Sequence, residues 1–152
     1  MHFSLEEYET RLAKTRQAMA AQGIELLFVT DPSNMSWLTG YDGWSFYVHQ
    51  GVLVLPDEPP LWWGREMDAN GGKRTAYLKH SRLISYPDHY VMSTERHPMD
   101  HLSALIQERG WGGRRIGVEM DNYYFSAKCL ESFRTNLPEA NFLDATGLVN
   151  WQ

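Results

Sequence analysis

The chain has 152 residues, 43% of them hydrophobic and 22% charged, with a net charge of −5 and a single cysteine. That length can bury one sizeable core, the acidic balance gives no long-range attraction to nucleic-acid phosphates or anionic membranes, and one thiol cannot close an internal disulfide. No apolar stretch reaches the length of a signal core or a membrane span, so the expected protein is cytoplasmic, with no nucleic acid and no membrane as partner.

Ser4 and Glu7 make an S-x-x-E capping box ahead of a first helix, along which Leu5, Tyr8, Leu12 and Met19 recur at helical spacing until Gly23. Ile24 to Val29 is an apolar run of strand length, and Asp31-Pro32-Ser33-Asn34 reads as the turn that closes it. From Trp44 to Leu55, aromatic and β-branched residues predict a strand, with Gly51 marking a bulge or a close backbone approach. Pro56 to Pro60 makes a turn, and Leu61, Trp62 and Trp63 resume as the second arm of a hairpin. A short helix follows over 68–78 and a strand over 82–86. His97-Pro98 opens a helix that turns Met99, Leu102, Leu105 and Ile106 inward and stops at Gly110. Then come a strand over 115–119, a helix capped by Ser126 with Cys129, Leu130, Phe133 and Leu137 on one face, and a strand over 141–144. The succession predicts an α/β fold, a mixed β-sheet flanked by helices on both faces, as one domain over 1–152.

Candidate chemistry is sparse. His97, Asp100 and His101 are the best metal-like grouping, because residues four apart share a helix face, but the glutamate of an H-E-x-x-H site is missing and a helix start explains them as capping or solvated. Asn70-Gly71-Gly72-Lys73-Arg74 lacks phosphate-loop spacing and reads as an exposed turn. Asn34-Met35-Ser36 matches a glycosylation sequon without a secretory signal, and Cys129 sits on an apolar helix face where thiols pack. No catalytic residue and no metal ligand is therefore nominated. What needs an account is the aromatic share of 13%, with six Trp and eight Tyr. It concentrates at residues such as Trp37, Tyr41, Trp44, Phe46, Tyr47, Trp62, Trp63, Tyr86 and Tyr90, with His49, Arg65 and His89 interleaved. Period two cannot bury all of Trp44 to Gln50 on one face of a strand, so part of this set is available to a ligand or an interface.

Asp31-Pro32-Ser33-Asn34-Met35-Ser36-Trp37-Leu38-Thr39-Gly40-Tyr41 resembles the N-x-x-Y-L-T-G-[FY] signature in the N-terminal domain of the creatinase, prolidase and Xaa-Pro aminopeptidase family. The resemblance runs over essentially the whole chain. Residues 41–50, 64–71 and 86–90 look most like the ectoine hydrolase branch. It implies a ribonuclease H-like N-terminal domain joined to a C-terminal "pita-bread" catalytic half, which commonly holds two divalent metal ions on an Asp, Asp, His, Glu, Glu set. None of that half is in this chain, so no cofactor is expected here and the chain itself is expected to be inactive.

The resemblance also implies a homodimer in which this domain overhangs the partner's active site. In creatinase an aromatic and a basic side chain from the strand after the T-G-[FY] loop reach the substrate. An ungapped match puts the aromatic at Phe46 but Val48 where the basic residue should stand, with His49 one residue along. For ectoine, a compact zwitterion whose amidine would be opened by water, a pocket needs aromatic faces and a cation. The nominated contacts are Trp44, Phe46, His49, Trp63, Arg65, His89 and Tyr90. The expected function is thus a non-catalytic domain of a C–N bond hydrolase that dimerises and caps the partner's site; the alternative is a free-standing small-ligand or protein-binding module.

Overall fold

The structure, a computed structural model, describes residues 2–152. In chain order the elements are α1 (Leu5–Ala21), β1 (Leu26–Val29), α2 (Pro32–Thr39), β2 (Gly51–Val54), β3 (Leu61–Arg65), α3 (Glu66–Thr75), β4 (Leu83–Tyr86), α4 (Pro98–Glu108), β5 (Arg115–Val118), α5 (Ala127–Asn136) and β6 (Asn141–Asp144). The strands form one six-stranded sheet in the order β4-β3-β2-β1-β5-β6. Only β2 runs against its neighbours, paired antiparallel to β1 and β3, while the other contacts are parallel. The expected mixed α/β sheet is present.

Alternation along the strands divides the core between the two faces. Leu26, Phe28, Leu53, Leu61 and Trp63 point to one side, where Met99, Leu102 and Ile106 of α4 and Cys129 and Phe133 of α5 cover them. Leu27, Val29, Val52, Val54 and Trp62 point to the other, under Leu12 and Met19 of α1, Met35 and Leu38 of α2 and Ala69 of α3. Each strand covered on both faces reads as a continuous apolar run, which is why 26–29, 51–55 and 61–63 lack polar alternation. Gly51 is a close approach rather than a bulge: a Cβ there would lie 2.2 Å from the Phe28 ring.

Three expectations are corrected. The segment after β1 is not a turn but the start of α2: Asp31 Oδ1 accepts from Ser33 N (2.8 Å) and Asn34 N (3.1 Å), Pro32 fills the first helical position, and Gly40 closes the helix at φ 75°. Residues 70–74 lie inside α3, not in an exposed turn. Most consequentially, β2 begins only at Gly51, so 44–50 is an irregular loop and not a strand. Its backbone groups are taken by side chains instead of a ladder: Val48 N donates to Ser45 Oγ (3.1 Å) and Tyr86 Oη donates to the His49 carbonyl (2.6 Å).

Candidate functional site

The carboxyl ends of the parallel strands β1, β3, β4 and β5 lie on one rim of the sheet, and β2, running the other way, starts from that rim. Ligands of open α/β sheets bind outside this rim. The 41–50 loop occupies it. Its base is rigid: Tyr41 and Val48 are buried, Tyr41 Oη donates to Gln50 Oε1 at 2.9 Å across the loop, and Asp42 N donates to Thr75 Oγ1 at 3.1 Å. Between these anchors Trp44, Phe46 and Tyr47 are 61%, 75% and 55% exposed. Their rings touch in series, with centroids 6.2 Å apart for Trp44 and Phe46 and 5.5 Å for Phe46 and Tyr47. Large rings held outward on an anchored loop form a preorganised apolar ridge.

Beside the ridge, β3 and β4 lay down an aromatic floor. Buried Trp63 packs under Tyr86 with the rings tilted 38° and centroids 4.7 Å apart, and its indole N–H donates to His101 Nδ1 at 3.1 Å; Tyr90 meets Tyr86 edge-on at 6.2 Å and stacks on exposed His89 at 4.7 Å. A cavity of about 120 Å³ opens between ridge and floor, lined among others by Tyr47, His49, Tyr90, Arg96 and His97.

The nominated residues separate into three groups. Trp44 and Phe46 are on the ridge, and His89 and Tyr90 on the floor. Trp63 is a correction: it is 0% exposed, a core residue of a strand covered on both faces, and offers nothing to a ligand. Arg65 is held by Asp88, with Nε at 2.8 Å and Nη2 at 3.1 Å from the two carboxylate oxygens, a pair that fixes its orientation and offsets its charge while leaving the Nη1 donors unused. His49 turns away from the ridge: its Nδ1 lies 3.7 Å from Cys129 Sγ and its ring 4.9 Å from that of His97. Burial and His97 push its pKa down to about 4, and burial likewise lowers His97, so both imidazoles are neutral near pH 7.

The sequence-level metal grouping is dispersed. His97 caps α4, its Nδ1 accepting from Met99 N at 3.1 Å while Asp100 Oδ2 accepts from His97 N at 2.8 Å; His101 faces Trp63 instead. Asn34 of the sequon is buried, its amide donating to Glu119 Oε1 at 2.6 Å and to Asn150 Oδ1 at 3.0 Å. Glu119 Oε2 also accepts from the backbone N–H of Thr30 and Asp31, each at 2.8 Å, so this buried carboxylate ties the end of β5 to the start of α2 and, through Asn34, to the 146–151 turn. Residues passed over earlier include Tyr47 and Met92, exposed at the rim, and Cys129. Tyr47 could have been found as the neighbour of Phe46; nothing in the spacing of 49, 97 and 129 announces that they meet. No helix among the described residues is long and apolar enough to cross a membrane.

Residues 11–152 match the family described as the creatinase/prolidase N-terminal domain. An ectoine hydrolase of Halomonas elongata is 53% identical over 98% of this chain and 38% of its own length. An uncharacterised hydrolase/peptidase of Sinorhizobium fredii is 41% identical over 99% of this chain and 39% of its own. The chain thus spans about two fifths of the length of these curated relatives. Among solved structures, the N-terminal domain of a Xaa-Pro dipeptidase from Lactobacillus brevis superimposes with a TM-score of 0.77 over 93% of this chain and 99% of that one, at 17% identity, a likeness of fold.

Proposed function

The chain belongs to the creatinase/prolidase N-terminal domain family, and from that premise we propose that it serves as the non-catalytic N-terminal domain of a C–N bond hydrolase of the ectoine-hydrolase kind. In this reading it dimerises through the parent protein, in the cytoplasm, and lends its loop to the active site of the partner subunit. The observation that carries the proposal is the Trp44–Phe46–Tyr47 ridge, three rings more than half exposed on a loop whose ends are buried. An isolated domain gains nothing from leaving that much aromatic surface in water, since each ring contributes on the order of 1.5–3 kcal/mol once buried. A second surface, supplied by the catalytic half, is the natural cover.

The chemistry fits a small delocalised cation. Aromatic faces attract an amidinium through their quadrupole, and rigid rings lose little entropy when they close on it. Besides Arg65, which is held by Asp88, the rim offers Arg96, which lies beside Tyr90 and makes only a loose 3.5 Å contact with exposed Glu95, as a cation able to meet a carboxylate. The identity with an ectoine hydrolase supports ectoine over a Xaa-Pro peptide as substrate. The full-length parent, purified and assayed with ectoine and with a Xaa-Pro dipeptide, is expected to consume ectoine; turnover of the dipeptide alone would redirect the assignment.

A further inference from the structure

Below the ridge, three side chains with metal-ligating atoms converge from three separate elements: His49 from the loop base, His97 from the cap of α4 and Cys129 from the first turn of α5. Their ligand atoms lie within 4.8 Å of one another. We propose that His49, His97 and Cys129 form a binding site for a zinc-class transition-metal ion, independent of the substrate-capping role.

The geometry is close to what such an ion requires. With Zn–S near 2.3 Å and Zn–N near 2.0–2.1 Å, tetrahedral ligand atoms sit about 3.3–3.6 Å apart. The Cys129 Sγ to His49 Nδ1 distance is 3.7 Å, so that edge of the tetrahedron is already formed, and a rotamer adjustment of His97 closes the rest. Two imidazoles and a thiol select zinc, cobalt(II) or copper(I) and reject magnesium and calcium, which take oxygen donors. This donor set is also unlike the carboxylate-rich pair site that the family resemblance implies for the catalytic half. The cavity of about 120 Å³ lined by His49 and His97 has room for a water as fourth ligand.

The surroundings supply an outer contact of the kind a metal site uses. The Ser126 hydroxyl, 3.3 Å from Cys129 Sγ, is placed to donate to a thiolate. Burial holds the free thiol protonated, so binding releases the Cys129 proton to solvent as the S–metal bond forms. His97 gives something up: its Nδ1 holds the Met99 N–H, and ligation through either ring nitrogen breaks that cap bond, because the other must then carry the proton. Occupancy therefore loosens the first turn of α4 where it borders the Tyr90 floor.

The test uses the reduced, metal-free 152-residue chain, a fold that stands without a catalytic half in the Lactobacillus brevis structure. Cobalt(II) is titrated first, as a spectroscopic probe, and zinc second. The expected result is one ion per chain, a thiolate-to-cobalt charge-transfer band that zinc abolishes, and a zinc-dependent rise in Tm. Cys129→Ser removes the band, and His97→Asn, which keeps a good helix cap, weakens zinc binding at least about tenfold while leaving the metal-free Tm near that of the parent. His49→Gln gives a third reading should either variant fold poorly. Absence of both the band and the Tm rise overturns the proposal, and so does an equal metal response in all the variants, which would place the ion elsewhere.

Discussion

Two aromatic-rich segments of this chain have opposite fates. At 61–63, Trp62 and Trp63 point to opposite faces of β3 and both are fully buried, because α3 lies over one face and α4 over the other. At 44–47, Trp44, Phe46 and Tyr47 lie beyond the last ladder bond of β2, have no layer above them, and remain in solvent. Composition is nearly the same in both. The difference shows that the aromatic excess is two populations: one is the price of a sheet covered on both faces, and the other is surplus to folding and open to recruitment.

The contrast can be broken at four places. Trp63→Ala, on the buried side, removes a core indole that also holds His101, and is expected to cost about 3–5 kcal/mol in urea unfolding. Acid attacks the base of the exposed loop. The His49 pKa falls from 6.5 to about 4 on folding, so between those values the unfolded chain binds a proton the folded chain does not, and stability declines as pH drops through that window. The decline attributable to this residue is at most roughly 3 kcal/mol; His49→Gln should flatten the profile in thermal melts between pH 7 and pH 4. Gly51→Ala, at the junction of loop and strand, drives a methyl into the Phe28 ring and the Val29 carbonyl and should cost about 1–3 kcal/mol by the same unfolding measurement. Phe46→Ala, on the ridge, should change stability by no more than about 0.5 kcal/mol.

Much of the fold was legible. Ser4, His97 and Ser126 cap the helices they were expected to cap, and the strands expected over 24–29, 115–119 and 141–144 are present as 26–29, 115–118 and 141–144. The failures have local causes. Asp31-Pro32 carries helix-start chemistry as well as turn chemistry, and Gly40 eight residues on was the deciding signal. The run from Trp44 to Gln50 has strand propensity, but propensity cannot register that β3 ends at Arg65, which the register Gly51↔Trp63 puts opposite residue 49, so that 44–48 has no neighbouring strand to pair with. At the site, period two said only that part of 44–50 stays out of the core, and the exposure of Trp44, Phe46 and Tyr47 together reflects a loop in place of the expected strand; the pairing of Arg65 with Asp88 and the meeting of His49, His97 and Cys129 depend on contacts 23 to 80 residues apart in the chain. Such contacts leave no trace in spacing.

Ectoine turnover by the full-length parent carrying Phe46→Ala tests the capping account most directly, with Tm measured on the same sample. The account predicts a fall in kcat/KM of at least about tenfold, a loss of more than 1.4 kcal/mol of transition-state stabilisation, at unchanged Tm. Unchanged turnover, with the ring gone and the fold intact, would contradict it.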